Sequence, residues 1–236
     1  MGQGGCTVGD SMSDTGELIY VVDPMCSWCW GFAPAFRAVV DHHPELAVNV
    51  VAGGLRPGEA AEPLSDEMRQ TLAHHWEQVE QRSGQPFDPA GLDRQNWVYD
   101  TELADIAVVT MRNLAPDQVL PWVHHLHESF YAKAVDLTDP AVYPSLLAGF
   151  DVDADVFMTA LQSPEMKAAT WQDFGLARQL GASGFPTVLG VRDGKAMVLT
   201  RGYTDAETFD KIIHRWMELT IPDTEPGASC SIDGVC

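Results

Sequence analysis

The chain has 236 residues, 45% of them hydrophobic and 20% charged, with a formal net charge of −20 at pH 7. These values suit a folded chain with a substantial core, and no apolar run is long enough to span a bilayer. So acidic a surface repels phosphate backbones and anionic lipids, which argues against nucleic-acid and membrane partners.

Residues 1–16 are rich in Gly, Ser and Asp and are expected to form a flexible N-terminal arm. The arm lacks the basic region and apolar core of a secretory signal, so a cytoplasmic setting is expected. Glu17 to Val22 reads as a buried strand, ended by Asp23-Pro24. From Cys26 to His42, the residues Trp30, Phe36, Ala38, Val39 and Val40 support a helix. Pro34 inside it removes a backbone donor and predicts a kink. Leu46 to Ala52 alternates as a second strand, closed by Gly53-Gly54. Strand, helix and strand in close succession imply a right-handed parallel unit.

The character then changes. From about Ser65 to Leu180 no convincing strand appears, and helical spacing recurs. Helices are predicted from a cap at Ser65 to about Ser83, over Thr101–Asn113, Pro116–Ala132 and Asp153–Gln162, and over Pro164–Leu180 with a break at Gly175. Strands return at Pro186–Val191 and Ala196–Thr200 around Asp193-Gly194, a strong hairpin signal. Asp205 caps a last helix with Phe209, Ile212, Ile213 and Trp216 as its apolar stripe. The division expected is an arm over 1–16, a discontinuous α/β unit over 17–62 and 181–220, an inserted helical domain over 63–180, and a tail over 221–236.

The five cysteines are too few and too clustered for a disulfide-stapled secreted scaffold. Cys26-Ser27-Trp28-Cys29 stands where the first strand passes into the first helix. Its spacing lets both sulfurs meet across one helical turn, and the helix N-terminus favours a thiolate at the first. Half of a zinc site has the same spacing, but zinc needs further ligands and no second such pair exists. His42-His43, His74-His75 and His124-His125-x-His127 raise a metal reading. Neighbouring histidines point to different sides of a helix, so each pair supplies one ligand at best and no metal site is expected. Trp76, Trp97 and Trp122 read as core.

Three features carry a family resemblance: the cysteine motif at the strand-to-helix junction, Pro34 five residues after Cys29, and Gly184-Phe185-Pro186-Thr187 ahead of the hairpin. With these, the chain resembles the DsbA-like class of thioredoxin-fold proteins, in which a helical domain interrupts the thioredoxin core. The stretch Asp23-Pro24-Met25-Cys26-Ser27-Trp28-Cys29-Trp30-Gly31 looks closest to the FrnE-like, protein-disulfide isomerase-like branch. The fold implied is α/β, a βαβ…ββα thioredoxin fold with a mixed sheet and an all-α insertion.

The function implied is thiol–disulfide oxidoreductase, acting on protein or small-thiol disulfides. Cys26 would be the nucleophile and Cys29 the resolving thiol. Pro186 would be cis, and Trp28, Phe185, Pro186 and Thr187 would meet substrate. The buried acid of thioredoxins falls six residues before the first cysteine, where this chain has Tyr20. That departure leaves the proton-transfer group unassigned; Asp23 either accepts a proton near Cys29 or merely ends the strand. Periplasmic DsbA has Pro-His between its cysteines. Ser27-Trp28 offers no cation, which predicts a milder potential.

Cys230 and Cys236 form a candidate auxiliary redox pair, and Cys6 is left over. No tightly bound cofactor is expected beyond a redox-active Cys26–Cys29 disulfide, with glutathione as a candidate co-substrate. A thioredoxin or glutathione system would supply electrons to a monomer or homodimer. Two other functions fit the resemblance. One is a glutathione-dependent isomerase or transferase of the 2-hydroxychromene-2-carboxylate isomerase and kappa-class kind, though these usually present Ser in place of the first cysteine. The other is a chaperone or metal-responsive thiol module.

Overall fold

A computed structural model describes residues 16–219, so Cys6, the arm before Gly16 and the tail with Cys230 and Cys236 lie outside the described residues. Its centre is β1 (Glu17–Val22), which pairs in parallel with β2 (Ala47–Ala52), Leu18 opposite Val48. On its other side β1 runs antiparallel to β5 (Thr187–Arg192), Tyr20 opposite Val188, and β6 (Lys195–Arg201) completes the order β2-β1-β5-β6. Asp193 and Gly194 both take positive φ, 51° and 70°, as the predicted tight hairpin requires.

Because strand side chains alternate, β1 feeds both faces of the sheet. Leu18, Tyr20 and Val22 join the main core, where α1 (Ser27–His42) and α8 (Ala206–Glu218) pack. Phe32 meets Phe209 edge to face at 5.2 Å, and Tyr20 stacks on Phe36 at 4.0 Å. Gly190 on β5 lies flat under Trp216, whose indole would be 2.4 Å from an added Cβ. Val21, Val51 and Leu189 face the other way, onto Ala177 of α7 (Pro164–Gln179). Thus α7 covers the second face of the sheet, although it falls within the stretch 63–180.

Between β2 and β5 the chain forms α2 (Asp66–Ser83), α3 (Glu102–Leu114), α4 (Val119–Ala132), a single turn α5 (Tyr143–Leu146), α6 (Ala154–Leu161) and then α7. Ser65, Asp153 and Ser163 cap α2, α6 and α7 by accepting from the backbone N–H three residues on, at 3.0–3.2 Å. Each such cap contributes about 1 kcal/mol. Trp76, Trp97 and Trp122 are buried, as read from the sequence.

The helical region departs from expectation twice. A two-stranded ribbon, β3 (Glu62–Pro63) with β4 (Val98–Tyr99), lies at its entrance; two residues are too few for an alternating pattern to register. And α7 runs unbroken through Gly175, because burial of Phe174 and Ala177 on either side offsets the roughly 1 kcal/mol a helical glycine costs.

A polar tie joins the inserted helices to the sheet. Arg112 on α3 donates to both carboxylate oxygens of Asp173 on α7, at 2.6 and 3.0 Å, and to the Val50 carbonyl of β2 at 2.6 Å. Asp173 in turn accepts from the Ala52 N–H at 2.9 Å.

Candidate active site

Strand β1 ends at Val22, and residues 23–26 turn the chain into α1. The Cys26 N–H donates to the Asp23 carbonyl at 3.1 Å, while the Cys29 and Trp30 N–H groups donate to the Cys26 carbonyl at 3.0 and 3.1 Å. Cys26 is therefore the N-cap of α1, at the end of the helix where partial positive charge collects. The two sulfurs differ in access. Cys26 keeps 6% of its surface exposed, whereas Cys29, one turn deeper, keeps none. Burial, together with contact with the Cys26 sulfur, pushes the Cys29 thiol well above its ordinary value.

Across from Cys26 lies the loop before β5. The Phe185–Pro186 bond is cis, and the Cys26 thiol donates to the Phe185 carbonyl at 3.5 Å. The Phe185 ring rests on Gly53, where an added Cβ would lie 2.7 Å from it. Thr187 is turned inward, its hydroxyl donating to the Gly184 carbonyl at 2.7 Å. Trp28 is half-buried, its ring 6.0 Å from that of Tyr203, and with Gln78, Gln81 and Arg82 it lines a shallow hollow of about 370 Å³.

Behind the cysteines is a buried polar cluster that the inserted helices help to build. Asp23 has no exposed surface; its two carboxyl oxygens accept from the Met25 N–H at 2.8 Å and the Leu55 N–H at 2.7 Å. Asp105 of α3, equally buried, sits close enough to Asp23 for their charges to couple; its Oδ2 lies 3.4 Å from the Thr101 hydroxyl, and its Oδ1 has no hydrogen-bond partner among the described residues. Burial raises Asp23, partly offset by those amide donors. It raises Asp105 much further, with the Asp23 charge adding to the effect.

His127 of α4 donates from Nε2 to the Asp23 carbonyl at 3.1 Å. Burial holds this imidazole neutral, down to about 3. The Tyr99 hydroxyl donates to the Met25 carbonyl, so a second group from the helical region grips the same loop. Tyr20, at the position where thioredoxins place their acid, is buried beside both cysteines, and burial raises its phenol well above 10.

The fold brings Cys26, Cys29, Phe185, Pro186 and Asp23, all named from the sequence, to one place. Sequence reasoning missed Asp105, Tyr99 and the part played by His127. Asp105 resembles any acid in the first turn of a helix. Tyr99 carries no motif, and His127 was read only among candidate metal ligands.

A mixed thioredoxin-type sheet, a cysteine pair opening the helix after its central strand and a cis-proline loop facing the first sulfur together define a thioredoxin fold with a helical insertion. The chain belongs to the family of DSBA-like thioredoxin domains, whose model matches residues 17–214; members of that family are thiol–disulfide oxidoreductases.

Among solved structures, it is similar to a candidate protein disulfide isomerase from Nitrosomonas europaea, with 31% identity and a TM-score of 0.79 over 86% of this chain and 98% of that one. It also shares its fold with the cytosolic disulfide reductase DsbM of Pseudomonas aeruginosa, with 23% identity and a TM-score of 0.71 over 86% of this chain and 100% of that one. A second DsbM structure, at 22% identity and a TM-score of 0.69, contains glutathione. No curated protein matches by sequence. Among the described residues no helix is long and apolar enough to cross a membrane.

Proposed function

We propose that this protein is a cytoplasmic disulfide reductase or isomerase in which Cys26 attacks and Cys29 resolves. The observation that carries this reading is the unequal access of the two sulfurs, Cys26 at the helix N-cap beside the cis-proline loop and Cys29 sealed behind it. The Cys26 thiolate attacks one sulfur of a substrate disulfide, forming a mixed disulfide and releasing the first substrate thiol, which takes up a proton. Cys29 then loses its proton and attacks the Cys26 sulfur. The second substrate thiol leaves and the Cys26–Cys29 disulfide remains. Two electrons from thioredoxin or glutathione restore the dithiol; the DsbM structure with glutathione supports the second source.

Asp23 and Asp105 serve as the proton acceptor for Cys29, since this carboxyl pair can change its proton count where no water reaches the thiol. The backbone of Phe185, next to cis Pro186, offers an edge for an extended substrate segment. Trp28 and its hollow flank that path, with Thr187 holding the loop from within. Ser27-Trp28 puts no cation beside Cys26, which favours a potential nearer reducing cytosolic proteins than a strongly oxidising DsbA.

Insulin reduction tests the scheme. Cys26→Ser is expected to abolish it, and Cys29→Ser to accumulate a mixed disulfide at Cys26. Turnover retained by Cys26→Ser would overturn the proposal. In Asp23→Asn the Cys29 step is expected to slow about 100-fold, the lower end of what a positioned base contributes.

A further inference from the structure

At the far end of α1, some 24 Å along its axis from Cys26 at 1.5 Å per residue, a second cluster of ionisable groups has no part in the redox scheme. Helix α1 stops at His42, and His43 leaves helical geometry with φ −122° and ψ 63°. The expectation that two adjacent histidines point apart rests on helical spacing, which no longer holds here. His43 turns its ring under α8, leaving its side chain 6% exposed. Its Nε2 is 3.3 Å from Asp210 Oδ1. One turn along α8, His214 Nδ1 is 3.4 Å from Asp210 Oδ2, and the two imidazole rings are 4.7 Å apart.

We propose that His43, Asp210 and His214 form a site for a divalent transition-metal ion of the zinc class, clipping the end of α1 to α8. One donor atom from each residue lies within 4.8 Å of the other two. Zinc with nitrogen and oxygen ligands at about 2.0–2.1 Å in tetrahedral geometry sets those ligands about 3.3–3.5 Å apart. His43 Nε2 and Asp210 Oδ1, 3.3 Å apart, already stand at that spacing, and His214 Nδ1 lies 3.4 Å from the other carboxylate oxygen.

The surroundings also fit a metal. His43 Nδ1 is 3.2 Å from the Glu45 carboxylate, which gives the carboxylate–histidine–metal order that orients and strengthens an imidazole ligand. His42, exposed and with Nδ1 3.7 Å from Asp210 Oδ1, is within a side-chain rotation of supplying a fourth ligand. Asp210 and Glu45 bring two negative charges for the ion to offset. Without metal the same atoms hydrogen-bond one another, and His214 Nδ1 also lies 3.0 Å from the Asp210 carbonyl, a contact the ion displaces.

The test must exclude thiol binding. Protein with the active-site disulfide formed and its remaining thiols alkylated is titrated with Zn²⁺ by calorimetry, alongside His214→Asn and Asp210→Asn. One ion per chain is expected. His214→Asn, at an exposed position that leaves the fold intact, should weaken binding at least tenfold, roughly the loss that removing even an outer-shell partner causes. Asp210→Asn should weaken it further, and Zn²⁺ should raise the melting temperature of the native chain but not of this variant. Absence of binding to the native chain, or binding that both variants leave unchanged, would overturn the site. Neither result bears on the chemistry of Cys26.

Discussion

The carboxyls of Asp23, at the end of the central strand, and Asp105, on the inserted helix α3, are close enough for the charge of one to raise the pKa of the other, and neither has any surface exposed to water. Two such groups resist ionising together, so the folded chain retains a proton that the unfolded chain releases. Raised acid pKa values contribute stability in full below the unfolded value near 4, and that contribution is lost as pH rises through the folded value. Asp105→Asn is therefore expected to be more stable than the native chain at pH 7, with the advantage vanishing by about pH 4. Urea melts at the two pH values decide it; an advantage independent of pH would refute the shared proton.

His127 has the opposite sign. Its imidazole stays neutral in the fold down to about 3, while an unfolded histidine takes up its proton near 6.5. Its contribution is present above 6.5 and is lost as pH falls towards 3, by up to about 1.4 kcal/mol per pH unit. His127→Gln keeps a donor for the Asp23 carbonyl but lacks that titration. The stability difference favouring the native chain should shrink steadily below pH 6.5 and stay constant above pH 7. A difference that is flat across the acid range would count against a neutral buried His127.

Gly53 and Gly190 make a matched pair for separating stability from exchange chemistry. An added Cβ at Gly53 meets the Phe185 ring at 2.7 Å, and one at Gly190 meets the Trp216 indole at 2.4 Å. Overpacking of either kind costs about 1–3 kcal/mol. Only Gly53→Ala displaces the residue whose carbonyl receives the Cys26 thiol. It should slow disulfide exchange in folded protein, while Gly190→Ala leaves that rate unchanged. Equal rates in the two variants would show that the placement of Phe185 does not matter to the exchange.

Arg112→Ala leaves Asp173 nearly buried, with its bidentate partner gone and only the Ala52 N–H to stabilise it. A loss of about 3 kcal/mol is expected, the range for breaking a buried pair by removing one member. Arg112 is 31% exposed, which makes that figure an upper one. Denaturant unfolding measures it, and a loss under about 0.5 kcal/mol would place the pair with ordinary surface ion pairs.

The sheet and its dithiol were legible in the sequence because short-range signals coincided there. A buried strand ran into a CxxC, an Asp-Gly marked the hairpin, and Ser or Asp stood at helix starts. The groups behind the dithiol were not legible, since Asp105 and His127 gain their meaning from where α3 and α4 dock. That docking depends on side-chain packing between elements some eighty to a hundred residues away along the chain. Periodicity shows which face of α4 is apolar, but not that His127 on it will reach the Asp23 carbonyl. His43 was misleading for a local reason: the helix ends at His42, as its pattern suggested, so the helical spacing used to set the two histidines apart does not extend to His43.

The order in which these parts leave the ribosome has a consequence of its own. Cys26 and Cys29 are synthesised early, whereas Asp105, His127 and finally Phe185 follow across 159 residues of separation. Until Phe185 arrives, the Cys26 thiol lacks the carbonyl it donates to in the finished fold. The site is thus a property of the completed chain. A growing chain arrested before β5 would present the cysteine pair without the cis-proline loop that faces Cys26 in the finished fold.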